Sequence, residues 1–401
     1  MKRFTLMLLM FCFAAMDVVA QGVAHRDTID YSSYSAIDYV ALARELERAS
    51  RPTLWQRMGD FIAGKHKDEA DDNFKLNGSI GVGYTQETNA MFVGSVVAQY
   101  RLQDELPNSY TSLTGMFSIN GSYRLRAIGN LNISARERID YNLGGGEMPV
   151  RFWGLGYDVA DYAQRSEYQR GGFDAQVSYV RNIVGGFSAG VGIDYAYIGV
   201  HDMEPLAKEY LSLAGVSEES VSVLGVNLMA EYDAKRYSES VVGGYYLKLE
   251  GSFYPELLSN QSANLWRVAV TANYYQRLWS GAVAAIDLYA DMNATKTPWL
   301  MWSKIGGENR MRGYYYGRYI DRNMMTAQVE LRQRIYGPIS GVVWGGAGSI
   351  FSSYKQFDFD ELLPNYGVGV RVFSGERTSL RIDYGFGRHS NGLVINVNEA
   401  F

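Results

Sequence analysis

Apolar and polar residues alternate along most of the chain, from about residue 75 to the last residue. In the stretch YYLKLEGSFY, Leu247, Leu249 and Phe253 fall on one side of an extended backbone. Lys248 and Glu250 fall on the other side. The same period of two recurs in KLNGSIGVGY (75–84), LWRVAVTANYY (265–275) and SLRIDYGFGR (379–388). This period is typical of β-strands that have one apolar and one polar face.

The alternating segments predict about sixteen antiparallel strands of roughly nine to eleven residues each. They begin near residues 75, 90, 110, 128, 153, 167, 185, 221, 242, 262, 280, 323, 339, 363, 377 and 391. Strands of this length can cross the hydrocarbon of a bilayer at a tilt. A soluble sandwich shows the same alternation with its apolar face turned inward. The strand pattern alone therefore leaves both all-β architectures open.

The N-terminus has the composition of a secretory signal peptide, with Lys2 and Arg3 before a short apolar run. Residues 21–74 predict two short helices followed by a charged linker. The helices could plug a lumen, lie on a membrane surface, dock to another protein, or form a partly ordered leader. We therefore expect a signal peptide at 1–20, an N-terminal helical segment at 21–74 and a β-domain at 75–401.

The secretory signal, the strand length and the last residue favour a transmembrane antiparallel β-barrel in the outer membrane of a Gram-negative bacterium. Phe401 ends the predicted strand LVINVNEAF and is expected to point outward. A terminal aromatic residue resembles the signal carried by bacterial outer-membrane barrels. With both chain ends in the periplasm, the connections 200–220 and 293–322 are expected outside the cell. The short turns at 181–186 and 373–378 are then periplasmic.

The composition narrows the possible functions. The chain has 31 Tyr, 43 Gly and only 8 Pro, a balance typical of amphipathic membrane strands. The only cysteine, Cys12, lies in the apolar N-terminal run, so no disulfide framework is expected. The four histidines show no metal-ligand spacing. The net charge of −5 gives no reason to expect nucleic-acid binding. We therefore predict no metal site and no cofactor.

An arginine- and tyrosine-rich stretch, GGENRMRGYYYGRYIDRN (306–323), interrupts the alternation after the eleventh predicted strand. Its order of motifs resembles the BamA/TamA superfamily of outer-membrane assembly and translocation barrels, also called bacterial surface antigens. The matching residues are Gly306, Gly307, Arg312, Gly313 and Tyr314 in this loop, and Glu330, Leu331 and Arg332 in the next strand. The segments at 151–162 and 232–237 also resemble the family, so the resemblance spans most of residues 75–401.

The resemblance implies that the loop folds back into the barrel and that Arg312 rests against the inner wall. Alternation along the twelfth strand places Glu330 and Arg332 on the lumenal side. Glu330 is the expected partner of Arg312, because a guanidinium in a confined lumen requires a carboxylate or an aromatic face. Relatives carry an aspartate on the thirteenth strand where this chain has Gly346, and Asp383 on the fifteenth strand is a possible substitute.

Two further departures from the family pattern bear on function. The final strand has no glycine between Leu393 and Phe401, which weakens the expectation of a kinked seam. Residues 21–74 leave no room for a periplasmic POTRA domain, so a short form that lacks these domains is expected.

The resemblance implies that the protein helps to insert or translocate proteins, or handles lipid, at the outer membrane. The expected partners are outer-membrane lipid, lipopolysaccharide and client outer-membrane or secreted proteins, and no enzyme activity is expected. A porin-like channel for small solutes is the alternative. A second alternative is a lipid-modifying barrel enzyme that uses His389 and Ser390. Neighbours in a strand point to opposite faces, so these two residues are expected in a non-catalytic turn.

Overall fold

The computed structural model describes residues 74–401, except 86–88, 104, 218–219, 238–239, 374–378 and 398. The expected signal peptide and N-terminal helices therefore lie outside the described residues. Apart from residues 77–79, the described residues belong to one compact unit.

Most of this unit is β-structure. The strands are, in chain order, β1 (Phe74–Thr85), β2 (Asn89–Tyr100), β3 (Ser109–Ser118), β4 (Tyr123–Asn132), β5 (Glu137–Phe152), β6 (Ser166–Val184), β7 (Phe187–His201), β8 (Val221–Asp233), β9 (Arg236–Tyr237), β10 (Val241–Tyr254), β11 (Leu265–Trp279), β12 (Ala282–Asn293), β13 (Ser303–Ile305), β14 (Tyr319–Asp321), β15 (Asn323–Tyr336), β16 (Ile339–Phe351), β17 (Leu363–Phe373), β18 (Ser379–Gly387) and β19 (Ser390–Val397). Within the described ranges, 17 of them form one large sheet, and β13 and β14 form a separate pair.

The large sheet is an antiparallel meander, in which strands that follow each other in the chain are hydrogen-bonded neighbours. The two-residue strand β9 is an addition to β10, and β8 itself pairs with β10. β12 pairs with β15, so the connection between them stands outside the large sheet. The β13–β14 pair lies within that connection, with Ser303 opposite Asp321.

Within the residues that the structure describes, the helices lie in the long connections. They are α1 (Tyr157–Tyr162), α2 (Pro205–Leu213) and the 3-10 turns Glu256–Leu258, Trp299–Met301 and Tyr354–Gln356. At this long-loop end, an apolar cluster packs α2 against the strand ends through Phe152, Tyr168, Leu211, Val221 and Trp299. The opposite, short-turn end carries tight connections such as 185–186, 280–281 and 337–338. No helix in the described ranges has the length and apolar character needed to cross a membrane.

The large sheet encloses polar side chains and exposes apolar ones, which is the reverse of their distribution in a soluble protein. On β15, Glu330 is completely buried, whereas its neighbour Val329 is 50% exposed. On β10, Ser252 is buried, whereas Leu249 and Phe253 are about half exposed. Polar side chains are therefore enclosed and apolar side chains point outward, as expected for a sheet whose outer face contacts lipid.

Each predicted strand start lies within five residues of the start of a strand in the structure, except for the fifth. That strand was expected near residue 153, and this prediction is wrong, because β5 ends at Phe152 and the residues after it form a loop and α1. The sequence hides β5 because the triple glycine 144–146 interrupts its apolar side. Helix α2 within the connection 200–220 was not predicted either.

The predicted placement of Phe401 is also wrong. β19 ends at Val397, so Phe401 does not continue the strand. Its ring lies beside Arg332, on the buried face of the sheet. The alternating pattern misled here because an ion pair of Glu399 with Arg371 draws the last residues toward the inner face.

Candidate functional site: a loop folded against the polar wall

The candidate site is formed by residues 306–317, which we call the inner loop, and by the polar face of β12 and β15–β18. The β13–β14 pair brings the two ends of the inner loop together. A backbone hydrogen bond from the Gly317 amide to the Ile305 carbonyl, 2.9 Å long, fixes the base of the loop. The inner loop therefore begins and ends at the same place, at the long-loop end of the sheet.

Gly313 allows the inner loop to approach the sheet backbone. Its φ angle is +106°, a conformation that residues with a side chain rarely adopt. A Cβ atom added at Gly313 would lie 2.6 Å from the carbonyl carbon of Gly385 on β18. A Cβ atom added at Gly385 would lie 2.4 Å from the carbonyl oxygen of Arg312. Two glycines facing each other thus let the loop lie directly on the wall.

Arg312 is the central side chain of the site and is fully buried. Its Nη2 atom donates to Glu330 on β15, and its Nη1 atom donates to Asp383 on β18 over 2.7 Å. The guanidinium carbon lies 3.8 Å from the ring centroid of Trp344 on β16. The carbonyl oxygen of Arg312 accepts a hydrogen bond from the Asn365 amide on β17. One residue of the loop therefore contacts four consecutive strands.

Three more arginines surround the same two carboxylates. Arg332 Nε donates to Glu330 over 2.9 Å. Arg371 Nη1 donates to Asp383 over 2.5 Å. Arg381 Nε lies 3.8 Å from Asp383, and its Nη2 donates to the Asn309 side chain. These arginines are nearly or fully buried, so water screens their charges weakly. The two carboxylates therefore have to compensate the positive charges.

A second arginine attaches the inner loop at a separate place. Arg310 makes a two-point contact with Asp287 on β12, with N–O distances of 2.7 and 2.9 Å. Its guanidinium also lies over the Tyr289 ring at 4.1 Å. Asn273 and Gln328 donate to the same Asp287 carboxylate. Arg310 and Arg312 therefore hold the loop on two different parts of the wall.

Tyr314 and Tyr319 attach the outer part of the loop. The Tyr314 hydroxyl donates to the Pro364 carbonyl over 2.6 Å and accepts from the Arg388 amide. Burial raises the pKa of Tyr314 to about 12, so it stays a neutral donor. The Tyr319 hydroxyl donates to Asp161 on α1 over 2.8 Å. Because of this contact, α1 lies directly against the β13–β14 pair.

Two titratable groups of the β13–β14 pair have shifted pKa values. Burial raises the pKa of the Asp321 carboxyl to about 6, against an opposing hydrogen bond from the Arg322 amide. Burial lowers the pKa of Lys304 to about 7, and the positive charges of Arg170 and Arg267 add to this shift. Charging either group in the folded protein therefore has a free-energy cost.

The structure brings together most of the residues that the sequence singled out. Arg312 lies against both Glu330 and Asp383, and Arg332 lies beside Glu330. Gly306 packs against the carbonyls of Tyr314 and Tyr315, and Gly307 lies near the Tyr316 ring. Phe401 is close to Arg332. The functional roles of these residues remain predictions.

Sequence reasoning missed Trp344, Arg371 and Glu399 as members of the site. Their partners come from strands that are distant in the chain, so no local pattern reveals Trp344 and Glu399. Arg371 could have been found, because it is a charged residue among the apolar residues of β17. Gly346 lies opposite Gln328 on β15, and Asp383 supplies the carboxylate that this position lacks.

The remaining candidate residues form no catalytic arrangement in the described structure. The Ser390 hydroxyl donates to the Gly313 carbonyl over 2.6 Å and so fixes the inner loop. His389 Nε2 lies 3.8 Å from Asp161, which already accepts a hydrogen bond from Tyr319. Within the described ranges, no cluster of His, Cys, Asp and Glu could hold a metal ion.

The comparisons with known proteins find similarity in structure. No protein-family model and no curated protein matches the sequence. BamA from Haemophilus ducreyi lacking POTRA domains 1-3 is similar with a TM-score of 0.58 and 12% identity, over 82% of this chain and 70% of that chain. CdiB from Escherichia coli has a TM-score of 0.58 and 13% identity, over 80% of this chain and 62% of that chain.

CdiB from Acinetobacter baumannii has a TM-score of 0.54 and 13% identity, over 82% of this chain. The match covers 60% of that chain, so this protein spans less than two thirds of both CdiB chains. At this level of identity the similarity shows the fold. The fold is the antiparallel β-barrel fold of BamA and CdiB, and the prediction of a BamA/TamA-type barrel is confirmed at that level.

Proposed function

We propose that the protein is an outer-membrane β-barrel of the BamA/TamA type that assists the insertion or translocation of proteins, or handles lipid. The outward apolar side chains support a lipid-facing wall. The fold of BamA and CdiB barrels supports the functional class. The observation that carries the proposal is Arg312, which binds the inner loop to Glu330 and Asp383 inside a barrel of this fold.

The proposed partners follow from the two surfaces of the wall. Outer-membrane lipid and lipopolysaccharide would contact the apolar face. Client outer-membrane or secreted proteins would meet the lumen or the strand edges. The contacts of Arg312 need no covalent step, since they hold a loop in place by charge-assisted hydrogen bonds. We therefore propose that the wall and the inner loop together carry out this insertion, translocation or lipid-handling function.

A depletion experiment tests this function. The gene would be depleted in its host and complemented with the wild type, with Arg312→Ala, or with Arg165→Ala. Arg165 is a matched control because it is an exposed arginine whose contact, to Glu167, is 3.6 Å long. We expect depletion to change the protein or lipid composition of the outer membrane. Wild type and Arg165→Ala should restore it, and Arg312→Ala should not.

An outer membrane of unchanged composition after depletion would contradict the proposal. Full complementation by Arg312→Ala, present at wild-type amounts in its folded form, would also contradict the proposal.

One observation favours a porin-like channel as the second candidate. A polar cavity of about 480 Å³ is lined by residues of β3–β6, β8 and β10. Charged side chains of both signs line it, including Arg138, Asp140, Glu231, Lys248 and Glu250. Planar-bilayer recordings on the purified protein distinguish the candidates. A steady open conductance with small-solute flux would favour the channel, and a closed resting state would favour the assembly function.

A further inference from the structure

The last described residues lie inside the polar wall. Glu399 Oε2 accepts a hydrogen bond from Arg371 Nε over 2.9 Å and lies 3.8 Å from Arg332 Nε. A main-chain oxygen of Phe401 accepts from Arg332 Nη2 over 3.0 Å. The side chain of Glu399 is only 15% exposed, and Ala400 is buried. Residues 399–401, which we call the inner segment, are therefore bound at the inner wall.

The Phe401 ring supplies an apolar anchor for this segment. It packs against a cluster that contains Tyr275 on β11 and Val283 on β12. The guanidinium carbon of Arg332 lies 5.1 Å from the centre of the ring. β19, which precedes the segment, pairs with β18, so the segment reaches strands far from its own place in the sheet. It spans part of the lumen near the short-turn end.

The same contacts close a ring of alternating charges. Each member contacts the next, in the order Glu399, Arg332, Glu330, Arg312, Asp383, Arg371 and back to Glu399. Three arginines and three carboxylates make the ring electrically neutral. Arg312, from the inner loop, and Glu399, from the inner segment, are both members of the ring. The two residues do not contact each other directly. The intervening residues are carried by β15, β17 and β18.

We propose that the inner wall is a binding site for the acid-x-aromatic segment 399–401, and that occupation of this site locks the inner loop through the charge ring. When Glu399 leaves, Arg332 and Arg371 have only Glu330 and Asp383 as acidic partners. These carboxylates then bind their own arginines more closely and share less with Arg312. In a weakly screened interior such redistribution acts over several groups at once. Release of the segment thus loosens the loop.

Hydrogen exchange of the inner loop tests the proposal on the full chain in detergent micelles. Glu399→Gln removes one charge while keeping the shape of the side chain. Phe401→Ala removes the anchor without changing any charge. We expect each variant to raise the exchange rate of the 306–317 amides about tenfold, the effect of losing one charge-assisted hydrogen bond. The folded, heat-modifiable form should be retained in both.

A double-variant comparison separates coupling through the ring from general loosening. Glu399→Gln combined with Arg312→Lys should raise exchange by less than the product of the two single effects, because both changes open the same ring. Glu399→Gln combined with Arg310→Ala is the matched control. Arg310 holds the same loop on Asp287, outside the ring. In that pair the two effects should multiply.

The proposal is overturned if either Glu399→Gln or Phe401→Ala leaves the exchange of the inner loop unchanged. It is also overturned if the Arg312 and Arg310 combinations behave alike. If Glu399→Gln does not fold, Phe401→Ala with and without Arg312→Lys gives the same comparison. The outcome of the hydrogen-exchange test does not depend on the proposed membrane function, since exchange of the inner loop is measured without clients or lipid transport.

Discussion

At the scale of single residues, the position of Arg312 between two carboxylates determines what each substitution costs. Arg312→Ala should lower the free energy of unfolding by about 3 kcal/mol, the lower range for breaking a buried ion pair, because Arg332 and Arg371 still neutralise Glu330 and Asp383. Arg312→Lys should recover less than half of this loss, since one ammonium nitrogen cannot replace the two separate nitrogens by which the planar guanidinium reaches Glu330 and Asp383.

Urea titration of the heat-modifiable form gives these free energies. Arg165→Ala is the control, and its exposed pair should contribute about 0–1 kcal/mol. Full recovery of stability in Arg312→Lys would show that charge alone, without the planar geometry, holds the inner loop.

Asp321 gives a second residue-scale prediction, on pH dependence. Its folded-state pKa of about 6 lies above its unperturbed value of 3.8, so the folded state binds the proton more tightly. The destabilisation is fully present above about pH 6 and disappears as the pH falls below about 4. The wild type should therefore gain stability, on the order of 1–3 kcal/mol, between pH 7 and pH 4 relative to Asp321→Asn.

The comparison with Asp321→Asn isolates this group, because the amide oxygen can still accept the Arg322 hydrogen bond. Lys304, whose pKa is about 7, is present in both proteins, so its titration cancels in this comparison. Parallel pH profiles of wild type and variant would contradict the raised pKa. The readout is the urea midpoint at each pH.

The sequence also shows how far single residues can be predicted. Strand alternation is a local property, so the sequence predicts Glu330 on the inner face. Its contact with Arg312 is predicted from opposite charge only once the resemblance implies that Arg312 rests against the inner wall. Glu399 could not be assigned in this way. Its partners, Arg332 and Arg371, lie on β15 and β17, and only the three-dimensional arrangement brings them to the last residues of the chain.

At the scale of elements, the strong alternation predicted most strands, and its interruptions explain the errors. On β5 the alternation of apolar and polar residues ends at Leu143, because three consecutive glycines follow it, so only a short part of the strand shows the period of two. Helix α2 begins at Pro205, a favourable first helical position, but its apolar pattern is too short to distinguish a helix from a loop. Element boundaries therefore required the pairing partners as well as the sequence.

The element order makes a topology prediction. The connection that contains α2 joins the end of β7 to the start of β8, at the long-loop end of the sheet. We expect this end to face the outside of the cell. Ser217→Cys, at an exposed position of that connection, should react with an impermeant maleimide on intact cells. Ala135→Cys, exposed in the short turn between β4 and β5, is the control for the opposite end.

The control cysteine should react only after the outer membrane is permeabilised. The reverse pattern, with Ala135→Cys labelled on intact cells and Ser217→Cys protected, would place the inner loop and the long connections on the periplasmic side.

At the scale of the whole molecule, the placement of apolar side chains distinguishes a membrane wall from a soluble sheet. A soluble sandwich would bury Leu249 and expose Glu250, whereas here Leu249 is 49% exposed to the surroundings of the sheet. If that surrounding is lipid, an arginine at this position must lie in hydrocarbon or distort the bilayer around it. If it is water, the same arginine is an ordinary surface residue.

Leu249→Arg therefore tests the membrane placement directly. In lipid bilayers we expect it to lower the free energy of unfolding by about 2–4 kcal/mol, the range for a charge near the midplane of a membrane barrel. Leu257→Arg is the control, because Leu257 is 92% exposed in the 3-10 turn at the long-loop end, outside the proposed membrane region. Its stability should match the wild type. Equal and small effects of both substitutions would mean that the apolar face meets water, and the proposed outer-membrane function would then lose its physical basis.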